Sequence, residues 1–234
     1  MKVVFNKKLK VVDNISLNTC EVHLLHVQID DVNVRAREMR DRVLDTSWLG
    51  KLDIVDKFGF EACAERTIKK LVEDILNKVN GTVEEDFGEI MVSDTAQCVL
   101  KKEKHHNILP IAELIKERVS GNGGFDFHSE SPDRVIIYGE AKYSGCSTRY
   151  ADALGQINDF INHKKDIAEL VIIKSFVTAE ATKKAVDGIK GYTAAFSINA
   201  KNPNIVFCNA MNSDEFKRLL KYKEIYLIGV EVCA

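Results

Sequence analysis

Gly124-Phe125-Asp126-Phe127-His128, followed by Val135-Ile136-Ile137-Tyr138-Gly139-Glu140-Ala141-Lys142-Tyr143, is the stretch on which the reading of this chain turns. Side chains on a β-strand alternate faces, so Glu140 and Lys142 point the same way. Ser129 to Arg134 holds Ser-Pro-Asp and reads as a turn between two apolar segments. A hairpin of those segments brings Asp126 near Glu140. Val135, Ile136 and Ile137 form a continuous apolar run, the mark of a strand buried on both faces. Two charged residues at the end of such a strand are costly unless they have work to do. Glu-x-Lys alone is a weak signal, since any exposed strand can carry it as a charged pair.

Paired carboxylates make an all-oxygen site that suits Mg²⁺, with Mn²⁺ as a substitute. A divalent cation supplies Lewis acidity and a nucleophilic water, and a neighbouring lysine can orient that water or offset charge in the transition state. This is a layout for cleaving phosphodiesters. The lysine's own pKa falls if the site is dry.

At these residues the chain resembles the PD-(D/E)xK, or restriction-endonuclease-like, nuclease superfamily, with Asp126 as the first acid and Glu140-Ala141-Lys142 as the (D/E)xK. Phe125 stands where the nominal proline would. Phe87-Gly88-Glu89, Gly124 to His128 and Tyr138 to Tyr143 together are similar to the HamA-type nuclease subunit of Hachiman antiphage defence systems. The resemblance spans about residues 81 to 180. It implies a restriction-endonuclease-like core, a central mixed β-sheet flanked by helices. It also implies a metal-dependent deoxyribonuclease acting on DNA, with a helicase or ATPase subunit that restrains it. Asp126, Glu140 and the Ala141 carbonyl would hold the metal, Lys142 would position water, and Glu89 on the first core helix would complete the shell. Gln156 sits where many members of the superfamily carry a glutamine on the helix after the lysine. Read without the resemblance, Glu89 is a surface acid near a helix N-terminus and Gln156 a solvent-facing amide. Glu113 and Glu117 are fallback acids, because Ile111 to Val119 can be drawn as helix or strand.

At 234 residues the chain is one large domain or a domain with an extension, and 45% hydrophobic with 29% charged content is that of an ordinary globular protein. Six scattered cysteines with no Cys-x-x-Cys argue against a zinc site or a disulfide framework. Neither a signal peptide nor a membrane span is legible, so a cytoplasmic protein is expected. A net charge of −2 excludes nucleic-acid binding by bulk charge, leaving local patches or a partner. Lys101 to His106 and His163 to Lys165 are the basic clusters, each otherwise a solvated loop. No P-loop is present, and Gly121-Asn122-Gly123-Gly124 precedes a strand rather than opening a helix, so it reads as a turn. His128, two residues from Asp126, either touches the site or packs nearby.

The organisation expected is an α/β N-terminal extension over residues 1–80 and a nuclease core over 81–234. In the first part, Cys20 to Ile29 reads as strand, Val34 to Leu44 as helix and Phe60 to Val79 as helix, stopped by Asn80-Gly81. Thr82 to Glu85 reads as a capping box. After the Glu-x-Lys strand comes a helix with a Tyr150, Ala153, Leu154, Ile157, Ile161 stripe. Strand is then expected over Leu170 to Phe176, helix over Ala179 to Ile189 and strand over Ile205 to Cys208. A helix over Asp214 to Tyr222, capped by Ser213, and a last strand over Ile225 to Val232 complete the α/β alternation. Two other functions fit the same residues. One is a non-catalytic adaptor that docks a helicase or DNA ends. The other is a stand-alone restriction enzyme, for which 1–80 looks small as a specificity domain.

Overall fold

The computed structural model describes residues 1–12, 19–79, 81, 83–116 and 123–233. In chain order the strands are β1 (Lys2–Val12), β2 (Thr19–Ile29), β3 (Asn107–Ile108), β4 (Phe127–Glu130), β5 (Ile136–Lys142), β6 (Lys190–Ser197) and β7 (Glu224–Val232). The helices are α1 (Val32–Leu44), α2 (Ile54–Lys70), α3 (Glu85–Lys104), α4 (Ala112–Ile115), α5 (Tyr150–Asn162), α6 (Lys165–Ile173), α7 (Ala179–Val186), α8 (Pro203–Asn212) and α9 (Asp214–Lys217).

All seven strands form one mixed sheet in the order β1-β2-β7-β6-β5-β4-β3, flanked by helices, as expected of an α/β fold. β2, β7, β6 and β5 run parallel at its centre, and antiparallel strands close both edges. The stretch 1–80 contributes β1 and β2 to this same sheet, with β2 hydrogen-bonded along β7 from Glu21↔Glu224 to Ile29↔Val232. Central strands in a parallel sheet are covered on both faces and read as apolar runs. β7 is buried from Glu224 to Val230, and every residue of β6 is buried.

β4 and β5 form the anticipated hairpin, from Phe127↔Gly139 to Glu130↔Ile136. Its turn closes with Ser131 N donating to Val135 O, and Arg134 there takes the left-handed conformation at φ 57°.

Two expectations fail and one strand goes unanticipated, each because tertiary partners outweigh local pattern. Leu170 to Phe176 is not a strand: α6 runs from Lys165 to Ile173 and a 3₁₀ turn follows. Asp166 and Glu169, three apart, lie on one face of a helix and both are buried against inward partners, while Ile167 and Val171 face outward. Ile205 to Cys208 is likewise helical, inside α8. Asn202 accepts from Asn204 N as its cap and Pro203 opens it, which is favourable helix-start chemistry. The sequence pattern also gives no strand over 190–197, where Lys190, Gly191 and Thr193 interrupt the apolar run. β6 forms there because Lys190 is neutralised by Asp166, which also accepts from Tyr192.

Other boundaries shift. α2 starts at Ile54 rather than Phe60, with Asp53 capping Val55 N and Asp56 N, and continues through a π turn at Leu71–Ile75. Ala64, Leu71 and Leu76 are buried, and Ile68, Val72 and Ile75 pack against the core, as their spacing predicts. Asn80 and Thr82, the proposed stop and cap, lie outside the described residues. α3 is capped at Glu84 without a side-chain bond and carries Glu85 and Asp86 in its first turn. Of the 111–119 stretch, Ala112–Ile115 form the short helix α4, and 117–119 lie outside the described residues. Ser213 caps α9 by accepting from Phe216 N, and the helix ends at Lys217, short of Tyr222. No helix among the described residues is long and apolar enough to cross a membrane.

Candidate metal centre

Three elements converge at the carboxyl end of β5, the customary place for sites in parallel sheets. Glu140 and Lys142 come from β5, Asp126 from the residue preceding β4, and Glu89 from the first turns of α3. Lys142 Nζ lies 2.9 Å from Glu140 Oε1 and 3.6 Å from Glu89 Oε1. Asp126 is held from the other side, its Oδ2 accepting from Ala141 N at 2.9 Å. The N–H and C=O of one strand residue point to the same edge, so the Ala141 carbonyl faces the Asp126 side. Asp126, Glu140, Ala141, Lys142 and Glu89 are thus brought together.

Glycine explains why α3 can approach. A Cβ on Gly88 would stand 2.1 Å from the Tyr143 ring. Without it, α3 closes on the end of β5 and the next residue, Glu89, reaches Lys142.

Glu140 is the unusual member. It is 0% exposed, and neither oxygen has a hydrogen-bond partner of good geometry among the described residues, although Lys142 stands beside one of them. A buried ionised carboxylate left this way costs several kcal/mol. Burial pushes the Glu140 carboxyl well above its usual range, the Asp126 charge adds to this, and Lys142 opposes it. Burial raises Glu89 too, with Asp126 contributing. For Lys142 the expected fall does not occur. Burial pulls it down, but Glu140, Asp126 and Glu89 together outweigh burial and hold it above its usual value. The lysine is a firm cation beside crowded acids. Like charges so placed resist ionising together unless another cation joins them.

The donor set fits a hard divalent ion. Among the described residues no group of three or more His, Cys, Asp or Glu side chains is arranged to hold a metal by itself. Asp126, Glu140 and the Ala141 carbonyl would make a partial shell, which suits Mg²⁺, an ion that keeps several waters and takes one or two carboxylates.

Glu89 and Asp126 open onto a cleft of about 570 Å³, which residues of α2 also line. Glu113, the fallback acid, also lines it. Glu117 lies outside the described residues. Gln156 is half-buried on α5 in a different, shallower depression with Asp159 and His163, and is not among the residues lining the acid cleft.

His128 is fully buried behind Asp126 and bonds Glu169 Oε2 at 2.7 Å. Sequence reasoning missed the clamp to which it belongs. Glu169 Oε1 accepts from Phe125 N at 3.0 Å, and Lys116 Nζ reaches both Phe125 O and Glu169 Oε1 at 2.7 Å. Both backbone groups of the residue before Asp126 are thereby pinned from α6 and the end of α4. Gly124 leaves room for this, since a Cβ there would meet Glu169 Oε1 at 1.9 Å. The available signal was Asp166 and Glu169 at helical spacing in an otherwise apolar stretch. Of the basic clusters, Lys101 to His106 divides. Lys101 and Lys102 are exposed, but His106 is buried, its Nδ1 bonded to Ser129 Oγ and its Nε2 to Tyr226 OH.

No curated protein matches the sequence. A family model described as HamA matches residues 2–223, which takes in the first two strands as well as the acid cleft.

Proposed function

The chain belongs to the HamA family, and on that premise we propose that it is the nuclease of an antiphage defence system, a PD-(D/E)xK enzyme that hydrolyses DNA phosphodiesters with Mg²⁺. The observation that carries this reading is Glu140: a buried carboxylate without a hydrogen-bond partner of good geometry, next to Lys142 and to Asp126, which lines a cleft. Structural carboxylates are satisfied by donors, whereas one left bare at a concave site is suited to a cation. Bound Mg²⁺ would supply Lewis acidity and a water of lowered pKa. Asp126 and Glu140 would hold it, with the Ala141 carbonyl beside them. Lys142, kept protonated by its three acidic neighbours, would orient the attacking water and offset charge on the phosphoryl oxygens. Glu89, 3.6 Å from that ammonium, would fix its direction. Ala141 N, by bonding Asp126 Oδ2, fixes the orientation of that carboxylate at the end of β5.

The experiment is cleavage of supercoiled and linear DNA by the purified chain with Mg²⁺ or Mn²⁺, alongside Glu140→Ala and Lys142→Ala. Cleavage lost in both variants and with a chelator supports the reading; equal activity in all three proteins removes it. A helicase or ATPase partner belongs to the same reading. Co-purification with such a subunit, and suppression of cleavage on its addition, is the expected result.

A further inference from the structure

The cleft carries a second, oppositely charged wall that the metal-centre reading does not use. Arg66 and Lys70 line it from α2, in the same cleft as Asp86, Glu89, Glu113 and Asp126. Four residues apart, they share one helix face, separated by about 6 Å along the axis. Both are exposed. Neither has an ion-pair or hydrogen-bond partner among the described residues, although four acids line the same cleft. Elsewhere on the molecule, cations next to acids pair with them, as Arg35 does with Asp94 and Lys190 with Asp166.

Two unpaired cations in the same cleft as the acidic centre match a ligand that is anionic along its length and anchored to a metal at one point. A phosphodiester chain has that chemistry. The phosphate under attack belongs on the acidic side, where the cation sits, and its neighbours need positive charge further along. Two cations one helical turn apart present such a track, at a spacing of the order of that between successive phosphates.

We propose that Arg66 and Lys70 bind the backbone phosphates flanking the scissile one on a DNA strand laid along the cleft. This rests on the nuclease reading for the identity of the substrate. Both residues are positioning residues: they hold the strand in register over Asp126 and Glu140 and take no part in bond cleavage.

The test is binding of the full chain to a labelled DNA oligonucleotide in Ca²⁺, followed by fluorescence anisotropy over a range of salt concentrations. Each phosphate contact contributes about 0.9 to the slope of log affinity against log salt on duplex DNA and about 0.7 on single strands. The Arg66→Ala/Lys70→Ala protein should bind about tenfold or more weakly, with a slope smaller by about 1.4 to 1.8. Its affinity for Mn²⁺ alone, measured by calorimetry, should be unchanged. Lys101→Ala/Lys102→Ala removes the same charge from another surface and should leave the slope as in the parent. Unchanged binding in the wall variant, an equal loss in the control, or no DNA binding by the parent overturns the proposal. A loss seen only with RNA of the same sequence overturns its assignment to DNA. If the parent binds DNA through the wall but never cleaves it, the catalytic reading falls and the wall stands. If the parent cleaves and the wall variant has an unchanged KM, the wall falls alone.

Discussion

Two buried carboxylates on the parallel strands, Glu224 and Glu140, are 2% and 0% exposed and are treated in opposite ways by their surroundings. At the start of β7, Glu224 accepts from Tyr226 OH at 2.6 Å and from Ser131 Oγ at 2.8 Å, and His106 in turn bonds Tyr226 OH. At the far end of β5, Glu140 has two other acids and one lysine for company and no hydrogen bond of good geometry. Burial alone therefore says little about role. What separates a structural acid from a candidate ligand is whether its lone pairs are already engaged.

The widest separation should appear in function. Glu140→Gln should lower cleavage by about a thousandfold, the scale of losing a group that stabilises transition-state charge, and should abolish Mn²⁺ binding by calorimetry. Glu224→Gln should leave turnover within a factor of about three. Equal losses in both would erase the contrast.

Stability should rank the two the other way. Glu224→Ala takes the buried acceptor from the Tyr226 and Ser131 hydroxyls and should cost about 2–3 kcal/mol in urea unfolding. Glu140→Gln removes a buried charge crowded by Asp126 and Glu89, leaves Lys142 its Glu89 partner, and should cost nothing, or stabilise by about 1 kcal/mol. A Glu140→Gln protein as damaged as Glu224→Ala would mean that Glu140 holds the fold.

His106, in the Glu224 network, should titrate in the opposite sense to Glu140, although burial raises both carboxyls. Burial, helped by His23 and Lys104, depresses His106 to about 3. The unfolded chain therefore takes up that proton first, and the stability contribution is lost as pH falls from 6.5 towards 3. The raised Glu140 behaves conversely in metal-free protein. Its contribution is full below its ordinary value of 4.5 and is lost as pH rises through the elevated one. Parent-minus-variant curves of urea midpoint against pH isolate each group. His106→Gln should remove a slope of up to about 1.4 kcal/mol per pH unit, and Glu140→Gln a slope of opposite sign. Slopes of the same sign would contradict both assignments.

The smallest effect concerns the clamp. Glu169→Gln weakens the hold on Phe125 and should reduce kcat about tenfold, roughly 1.4 kcal/mol, with KM little changed. A change confined to melting temperature would make Glu169 a packing residue only.

The hairpin and its charged end were legible in the sequence because strand alternation and a Ser-Pro-Asp turn are local signals, and a hairpin of those segments brings Asp126 near Glu140. Glu89 was legible through its motif. The physical reason for that motif, a glycine making room for Tyr143, needed the packed structure. Gln156 was placed by analogy, and its helix turns it toward another depression.

The chain by itself determined its α/β class, the apolar strands β2, β5 and β7 and the acid-acid-lysine set, since each follows from residue periodicity over a few positions. Only the tertiary structure decided that 165–173 and 203–212 are helices and that 190–197 is a strand. Their partners, among them Lys190 with Asp166 and Glu169 with Phe125, lie tens of residues apart. It likewise decided which carboxylates are satisfied. Hydrogen bonding and desolvation depend on what folds against a side chain, and no window of sequence contains that.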